Sequence, residues 1–429
     1  MATLTAYRNI NMDGGHFVSG TMTIATATHI QVKHGTDTQN YYGSFTYDSA
    51  HHLTGGIMTS TDLSDDVGKV FSLTGGHYNM LTINNYVSQS NVTGLKQYLF
   101  AGNDLINGSA QADVLNSYAG NDTINGYAGN DILRGGTGND VLNGGSGGDN
   151  MVGGDGSDLY FVDNALDIVT ETNAIASTGG IDIVFSYLAN YTLKANVENA
   201  KIVPTSPANL TGNGLNNLIY AGAGINHIDG VAGSDTVSYA FATTTGSAGI
   251  TLNLSVVNAS GQSTAGGISG ADLVKNIENI SGSNYADTLV GNSGNNTLNG
   301  GVGNDLILGS QGNDILIGGA GKDNFRFNTA LNSLTNKDTI TDFSSVDDTI
   351  QLENAVFSKL ANVGTLAAAY FHASATGTAA DSNDFVLYST ASGIVSYDAD
   401  GNGAGAAVQI ATIGVSSHPA LTNADFVVI

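Results

Sequence analysis

From about Ala101 a larger apolar side chain recurs every nine residues, at Ile106, Leu115, Ile124, Leu133, Leu142, Met151 and Tyr160. Two residues before each stands an aspartate: Asp104, Asp113, Asp122, Asp131, Asp140, Asp149 and Asp158. Glycines crowd the positions just before the aspartates, at Gly102, Gly120, Gly129, Gly138, Gly147 and Gly156, with Asn121, Asn130 and Asn139 between glycine and aspartate. Each unit reads as a tight turn followed by a very short strand. The register returns more weakly at Asn217, Asn226 and Asp235, with Ile219, Ile228 and Val237 as inward residues. It is strong again at Asp287, Asn296, Asp305, Asp314 and Asp323, with Gly303, Gly312, Gly321, Asn304 and Asn313 in the turns and Leu289, Leu298, Ile307, Leu316 and Phe325 in the apolar slot. Between the blocks, Asp167-Ile168-Val169-Thr170 and Gly249 to Leu254 alternate as strands that continue the solenoid without metal.

The remaining pattern is different. Residues 1–100 lack the period and hold six of the nine histidines, His16, His29, His34, His51, His52 and His77. Alternation over Thr21 to Thr26 and Gly43 to Tyr47 predicts a small antiparallel β domain, followed by a short helix over Ser90 to Phe100. Near the other end, Ala355 to Phe371 has helical spacing. Phe385 to Tyr388 and Ile394 to Tyr397, joined through Ser392-Gly393, predict a hairpin. The chain then divides into a β-rich domain (1–100), a first repeat block (101–165), metal-poor coils with the weak block (166–280), a second strong block (281–330) and a C-terminal region (331–429).

Composition narrows the chemistry. With 58 glycines and no tryptophan or cysteine, the chain suits narrow repetitive turns better than a bulky interior, and disulfides and thiolate metal sites are excluded. Its 37 acidic against 12 basic side chains give a formal charge of −25, which argues against nucleic acid and anionic lipid and favours a cation partner. The opening residues have no basic segment followed by an apolar run, and no stretch is long enough to span a bilayer, so any export signal is expected elsewhere.

Gly135-Gly136-Thr137-Gly138-Asn139-Asp140-Val141-Leu142-Asn143 and Gly318 to Arg326 fill every position of Gly-Gly-x-Gly-x-Asp-x-U-x, with U apolar, a pattern of calcium-binding β-solenoids. Glycine permits the backbone angles that turn several carbonyls inward, and those oxygens with a carboxylate suit the six-to-eight-fold oxygen shell of Ca²⁺ better than the octahedron of Mg²⁺. The pattern resembles the RTX, or repeat-in-toxin, family of secreted bacterial proteins. The resemblance implies an all-β fold, a right-handed parallel β-roll solenoid, with the N-terminal β-rich domain before it and a C-terminal cap and secretion region after it. In that family two units make one coil, and each ion lies between a turn and the one eighteen residues later. Asp104, Asp122, Asp140 and Asp158 then share one edge and Asp113, Asp131 and Asp149 the other, giving about eight calcium ions or more. Ordinary Asx-Gly turns would need no metal, but a bare ladder of aspartates repels itself. For the middle block, including Asp235, calcium-bound and metal-free turns both stay open.

Lys337 to Phe343, with Asp342 as a further candidate ligand, looks like the segment that caps such rolls. Asp384 to Gly393 followed by Tyr397 to Gly401 resembles the tail hairpin of proteins exported by type I secretion, and Asp425-Phe426-Val427-Val428-Ile429 fits that system's acidic-then-apolar ending. The resemblance implies a type I secretion machinery as partner and a secreted, extracellular or cell-surface location. Asp398-Ala399-Asp400-Gly401 also opens like an EF-hand loop, but Gln409 stands where the bidentate Glu is required, which leaves a lone calcium loop or a plain turn.

Catalytic motifs are missing. There is no His-Glu-x-x-His, and the one Gly-x-Ser-x-Gly, around Ser146, lies inside the repeat ladder. Adjacent residues on a strand face opposite ways, so His51 and His52 are not joint ligands without a bend. The leading expectation is a non-enzymatic, calcium-stiffened surface or matrix protein that self-associates. Alternatives are an adhesin binding cell-surface glycan through Tyr41, Tyr42, Phe45 and Tyr47, and an enzyme with an unrecognised N-terminal site.

Overall fold

The computed structural model describes residues 3–6, 21–25, 29–34, 37–47, 53–65, 68–80, 82–83, 92–173, 179–204, 207–241, 249–267 and 271–429. The chain forms two compact units, Met1–Leu188 with Leu193–Ala200, and Ala189–Thr192 with Lys201–Ile429.

In the first unit the nine-residue pattern becomes two parallel stacks of short strands. One face carries Leu105–Asn107, Thr123–Asn125, Val141–Asn143, Leu159–Val162 and Ile183–Ser186. The other carries Val114–Asn116, Ile132–Thr137, Asn150–Asp155 and Ile168–Thr170. Successive side chains of a strand point to opposite faces, so a three-residue strand sends only its middle residue inward. Ile106, Ile124, Leu142, Tyr160 and Val184 therefore stack in one column and Leu115, Leu133, Met151 and Val169 in the other, all buried. This is a parallel β-roll, as the resemblance implies.

Ahead of the roll, Thr21–Ala25, His29–His34, Asp37–Tyr47, Leu53–Asp65 and Gly68–Asn79 form an antiparallel sheet in chain order, and Thr3–Ala6 adds to its last strand. Thr3–Ala6 also pairs in parallel with Leu105–Asn107, so the sheet runs into the first coil. The helix Val92–Leu99 forms within the predicted stretch. It is fixed to the sheet by Tyr78 Oη donating to the Leu99 carbonyl (2.8 Å) and Asn79 N–H donating to Tyr98 Oη (2.8 Å).

The second unit repeats the arrangement. Leu218–Tyr220, Thr236–Ser238, Asn279–Ser281, Thr297–Val302, Ile315–Ala320 and Asp338–Ile340 stack in parallel on one face. On the other, Thr251–Asn253, Thr288–Val290, Leu306–Leu308, Asn324–Phe327 and Thr349–Leu352 do the same. The hairpin Val386–Ser389 with Ile394–Tyr397 is present, and Val408–Ile413 joins it to Asp338–Ile340. The final strand Phe426–Val428 lies parallel to Thr349–Leu352.

One expected element is absent. Ala355 to Phe371 is not a helix: it consists of turns, the short strand Gly364–Thr365 against Phe426–Val428, and a single 3-10 turn at Ala368–Tyr370. Its apolar spacing arises because Phe357, Leu360 and Leu366 are buried from successive turns, and Gly364, at φ +110°, breaks any helical path.

Candidate metal centre

The aspartates of each unit form columns linked through the backbone. In the first column the N–H of Asp104 donates to Asp122 Oδ1 (2.7 Å), that of Asp122 to Asp140 (2.8 Å) and that of Asp140 to Asp158 (2.8 Å). In the second, Asp113 donates to Asp131 (2.7 Å) and Asp131 to Asp149 (2.8 Å). The second unit matches: Asp287 donates to Asp305 (2.8 Å), Asp305 to Asp323 (2.9 Å) and Asn296 to Asp314 (2.8 Å). The eighteen-residue pairing across alternate units is thus realised.

Only one carboxylate oxygen is used in this way. Oδ2 of Asp122, Asp131, Asp140, Asp149, Asp158, Asp235, Asp305, Asp314 and Asp323 is buried with no hydrogen-bond donor. Burial, reinforced by carboxylates above and below, pushes Asp131 up to about 7, Asp140 to about 8 and Asp305 to about 7. A buried carboxylate is tolerated when paired or bound to metal.

Apart from Asp122, whose slot holds Ser117, each of these orphan oxygens faces a glycine cradle. A Cβ on Gly135 would run into Asp140 Oδ2 and come against the Gly153 carbonyl, and one on Gly300 would meet Asp305 Oδ2 and the Gly318 carbonyl. The first glycine of the unit is required because a carboxylate and a carbonyl of the next turn converge there. Gly138, at φ +117°, instead lets the turn lie against the Gly120 carbonyl below it, and Gly120, Gly129, Gly147, Gly156, Gly303, Gly312 and Gly321 also have positive φ. Gly102 faces open space and has no such constraint.

Other predicted positions serve differently. The side-chain oxygens of Asn121, Asn130, Asn139, Asn304 and Asn313 accept backbone N–H groups of a later turn, at 2.9 to 3.1 Å, so these amides staple turn to turn at the exposed rim. Ser109 satisfies Asp113 Oδ2 through its N–H (2.6 Å) and Oγ (2.9 Å), and Ser283 donates its N–H to Asp287 Oδ2 (2.6 Å) and its Oγ to Asp287 Oδ1 (2.8 Å). Asp342 accepts from Gly318 N–H (2.9 Å) and Gly319 N–H (2.8 Å), making it a cap on the last turn rather than an open ligand. Asp398 and Asp400 lie in a turn closed by their own backbone: Asp400 N–H donates to Asp398 Oδ1 and Gly405 N–H to Asp400 Oδ2.

Asparagine in the aspartate slot changes the turn. Asn226 Nδ2 donates to the Gly222 carbonyl (3.1 Å), and Asn296 Nδ2 to the Glu278 carbonyl (2.6 Å) and Asn292 Oδ1 (3.3 Å). Asn217 Nδ2 reaches Asn213 Oδ1 (3.2 Å). In Asn217 and Asn296 the side-chain Oδ1 faces the glycine and accepts a backbone N–H of its own turn, from Asn213 (2.9 Å) and Asn292 (2.8 Å), whereas Asn226 Oδ1 is buried without a donor.

Sequence reasoning missed the acidic residues that continue the columns, all but Asp167 beyond inserted loops. Asp158 donates to Asp182 Oδ1 (2.8 Å), Asp149 to Asp167 (3.1 Å), Asp314 to Asp338 (3.1 Å), Asp323 to Asp348 (3.0 Å), Asn226 to Asp272 (2.7 Å) and Asp235 to Glu278 Oε2 (2.8 Å). Each stands two residues before a buried apolar residue, Val184, Val169, Ile340, Ile350, Val274 or Ile280; Asp167 keeps the nine-residue period, and for the others this relation is the signal that a fixed period overlooks.

A family model for the RTX calcium-binding nonapeptide repeat matches residues 98–133, 125–160, 211–240, 281–316 and 300–328. The chain carries RTX calcium-binding repeats. No curated protein matches it. RTX repeats bind calcium and belong to proteins of secreted type, and no helix among the described residues is long and apolar enough to cross a membrane. The residues present fit the ion: orphan carboxylate oxygens, inward carbonyls and no nitrogen or sulfur donor make a hard-oxygen set. Bound calcium would supply the positive charge that these buried carboxylates lack.

Two other readings of single residues change. Tyr41 and Phe45 belong to the core of the N-terminal sheet, and Tyr42 stacks on His29 with ring centroids 4.8 Å apart. His29 is also held by Asn40 Oδ1 (3.0 Å). The side chain of Tyr47, and His16, His51 and His52, lie outside the described residues. Ser146 sits in a repeat turn, its N–H donating to the Tyr127 carbonyl (2.8 Å).

Proposed function

We propose that this is a secreted structural protein of a bacterial surface or extracellular matrix, exported unfolded by a type I machinery, folded by calcium outside the cell and assembling with its own copies. The observation that carries the reading is the repeated buried Oδ2 with no donor in both units. Asp122, Asp131, Asp140, Asp149, Asp305, Asp314 and Asp323 hold the ions through these oxygens, with carbonyls of the glycine turns. The turns of Asn217 and Asn296 close without metal, each side-chain Oδ1 accepting a backbone N–H of its own turn.

The role of calcium follows from burial. Stacked carboxylates fold only with a counter-cation, so a calcium-poor cytoplasm keeps the chain open for export and millimolar calcium folds it. Purified chain titrated from chelator into calcium is expected to gain β circular dichroism with calcium, and electron microscopy is expected to show ordered assemblies afterwards. Near-native dichroism in chelator counts against calcium-driven folding. A holo-protein that stays monomeric at high concentration counts against assembly.

A further inference from the structure

At the end of the first repeat block the turn chemistry changes. Gly153 opens the last regular turn, and the strand register that pairs Val152 with Thr170 places Glu171 opposite it in the next coil. A Cβ on Gly153 would meet Asp158 Oδ2, Tyr160 Oη and Glu171 Oε1 together. One oxygen each of Asp158, Glu171 and Asp182 lies within 4.8 Å of the other two, and the three side chains are 1%, 6% and 1% exposed. Here three carboxylates converge where a regular turn supplies one.

The protein leaves this cluster unneutralised. Asp158 Oδ1 is committed to the N–H of Asp140, while its Oδ2, directed at the cluster, has no donor. Tyr160 Oη donates to Glu171 Oε1, and Gly154 N–H offers Oε2 only a long contact of 3.4 Å. Burial first, then the negative charges of Asp182, Asp158 and Glu198, push Glu171 up to about 9 against the small opposing effect of the Gly154 N–H.

We propose that Asp158, Glu171 and Asp182 form a separate site for a hard divalent cation, calcium or one of similar oxygen preference, which fills before the turn ladder. Ion affinity in oxygen sites rises with the number of charged ligands, and three carboxylates with a tyrosyl oxygen beside them exceed the single carboxylate of a repeat turn. All donors are oxygens, which disfavours thiophilic and imidazole-seeking metals. The binding itself stands on this cluster alone; only the order of filling rests on the reading of the ladder.

The test uses the full chain and two probes, terbium(III), followed by tyrosine-sensitised emission, and calcium, followed by calorimetry. The chain has no tryptophan, and Tyr160 touches a ligand, so the first terbium equivalent should be sensitised. Tyr160→Phe keeps every carboxylate and should preserve the calcium stoichiometry while losing that first-equivalent emission. Glu171→Gln should lose one ion and weaken the tightest calcium phase by roughly tenfold or more, whereas Asp140→Asn should leave that phase in place. An unchanged tight phase and stoichiometry in Glu171→Gln would mean that the carboxyls share protons instead, and the proposal falls. If Glu171→Gln does not fold, Tyr160→Phe decides, because persistence of the first-equivalent emission in that variant overturns the site. A chain that keeps the tight phase but binds no further ions would refute the ladder and leave this site standing.

Discussion

At the residue scale, one atom separates a cation-holding turn from a self-sufficient one. Asp140 and Asn296 occupy the same slot and each donates its backbone N–H to the next carboxylate of its column, but Asp140 keeps an orphan Oδ2, whereas both side-chain atoms of Asn296 are bonded, Oδ1 by the N–H of Asn292 and Nδ2 to the Glu278 carbonyl. Asn296→Asp is therefore expected to add about one ion to the calorimetric stoichiometry and to make folding more calcium-dependent; an unchanged ion count would show that the slot alone does not define the site. Protons compete for the same oxygens. Asp131, Asp140 and Asp305 are raised to about 7, 8 and 7 in the calcium-free fold, against an ordinary value near 4. Their protonated forms thus support that fold below about pH 4, and the support is lost as pH rises through about 7 to 8. The unfolded carboxyls are already ionised above about pH 5, so this proton support lowers the calcium requirement only at low pH, and the calcium concentration at the folding midpoint is expected to rise as pH rises from about 5 to 8. Dichroism-monitored titrations at several pH values check this, and a flat midpoint would contradict it.

At the element scale, each coil depends on one inward side chain per strand. Leu133 is fully buried at the middle of its strand segment while its neighbour Ile132 is half-buried on the outer side. Leu133→Ala is expected to cost about 2 to 5 kcal/mol through lost burial and a cavity, and Ile132→Ala about 1 kcal/mol or less. Denaturant unfolding in saturating calcium measures both, and equal losses would refute the inward column. This periodicity explains what was legible from sequence: where Asp and apolar residue repeat at nine, strand, register and column all follow. Asp182, Asp338 and Asp348 lay hidden because 24 or 25 residues separate them from Asp158, Asp314 and Asp323, and the inserted loops erase the period while the Asp-x-apolar relation persists. Glu171 was missed because it replaces a glycine, a residue whose role is to be absent. Ala355 to Phe371 misled for the opposite reason: apolar residues buried from turns imitate helical spacing. In the N-terminal sheet alternation was readable, but Tyr41 and Phe45 face the core, which alternation alone does not assign to a side.

At the scale of the whole molecule, a formal charge of −25 has two distinct parts, carboxylates in water and carboxylates inside the columns. Monovalent salt screens the first, with a Debye length of about 4 to 5 Å near 0.5 M. It does little for the second, whose oxygens are out of reach of solvent ions and lack donors. Specific occupancy acts on those: at free calcium about ten times each Kd, a site contributes about 1.4 kcal/mol, and about eight sites together about 11 kcal/mol, comparable with the net stability of about 5 to 15 kcal/mol of a folded domain. Two models of calcium action therefore separate cleanly. If calcium worked only by lowering the charge of the surface, sodium chloride at about 0.5 M would refold the chelated chain. If it works by entering the columns, the chelated chain is expected to stay largely unfolded in that salt and to fold when millimolar calcium is added. Dichroism of the same sample through both additions decides between them, and recovery of native β signal in salt alone would remove the columns from the account of folding.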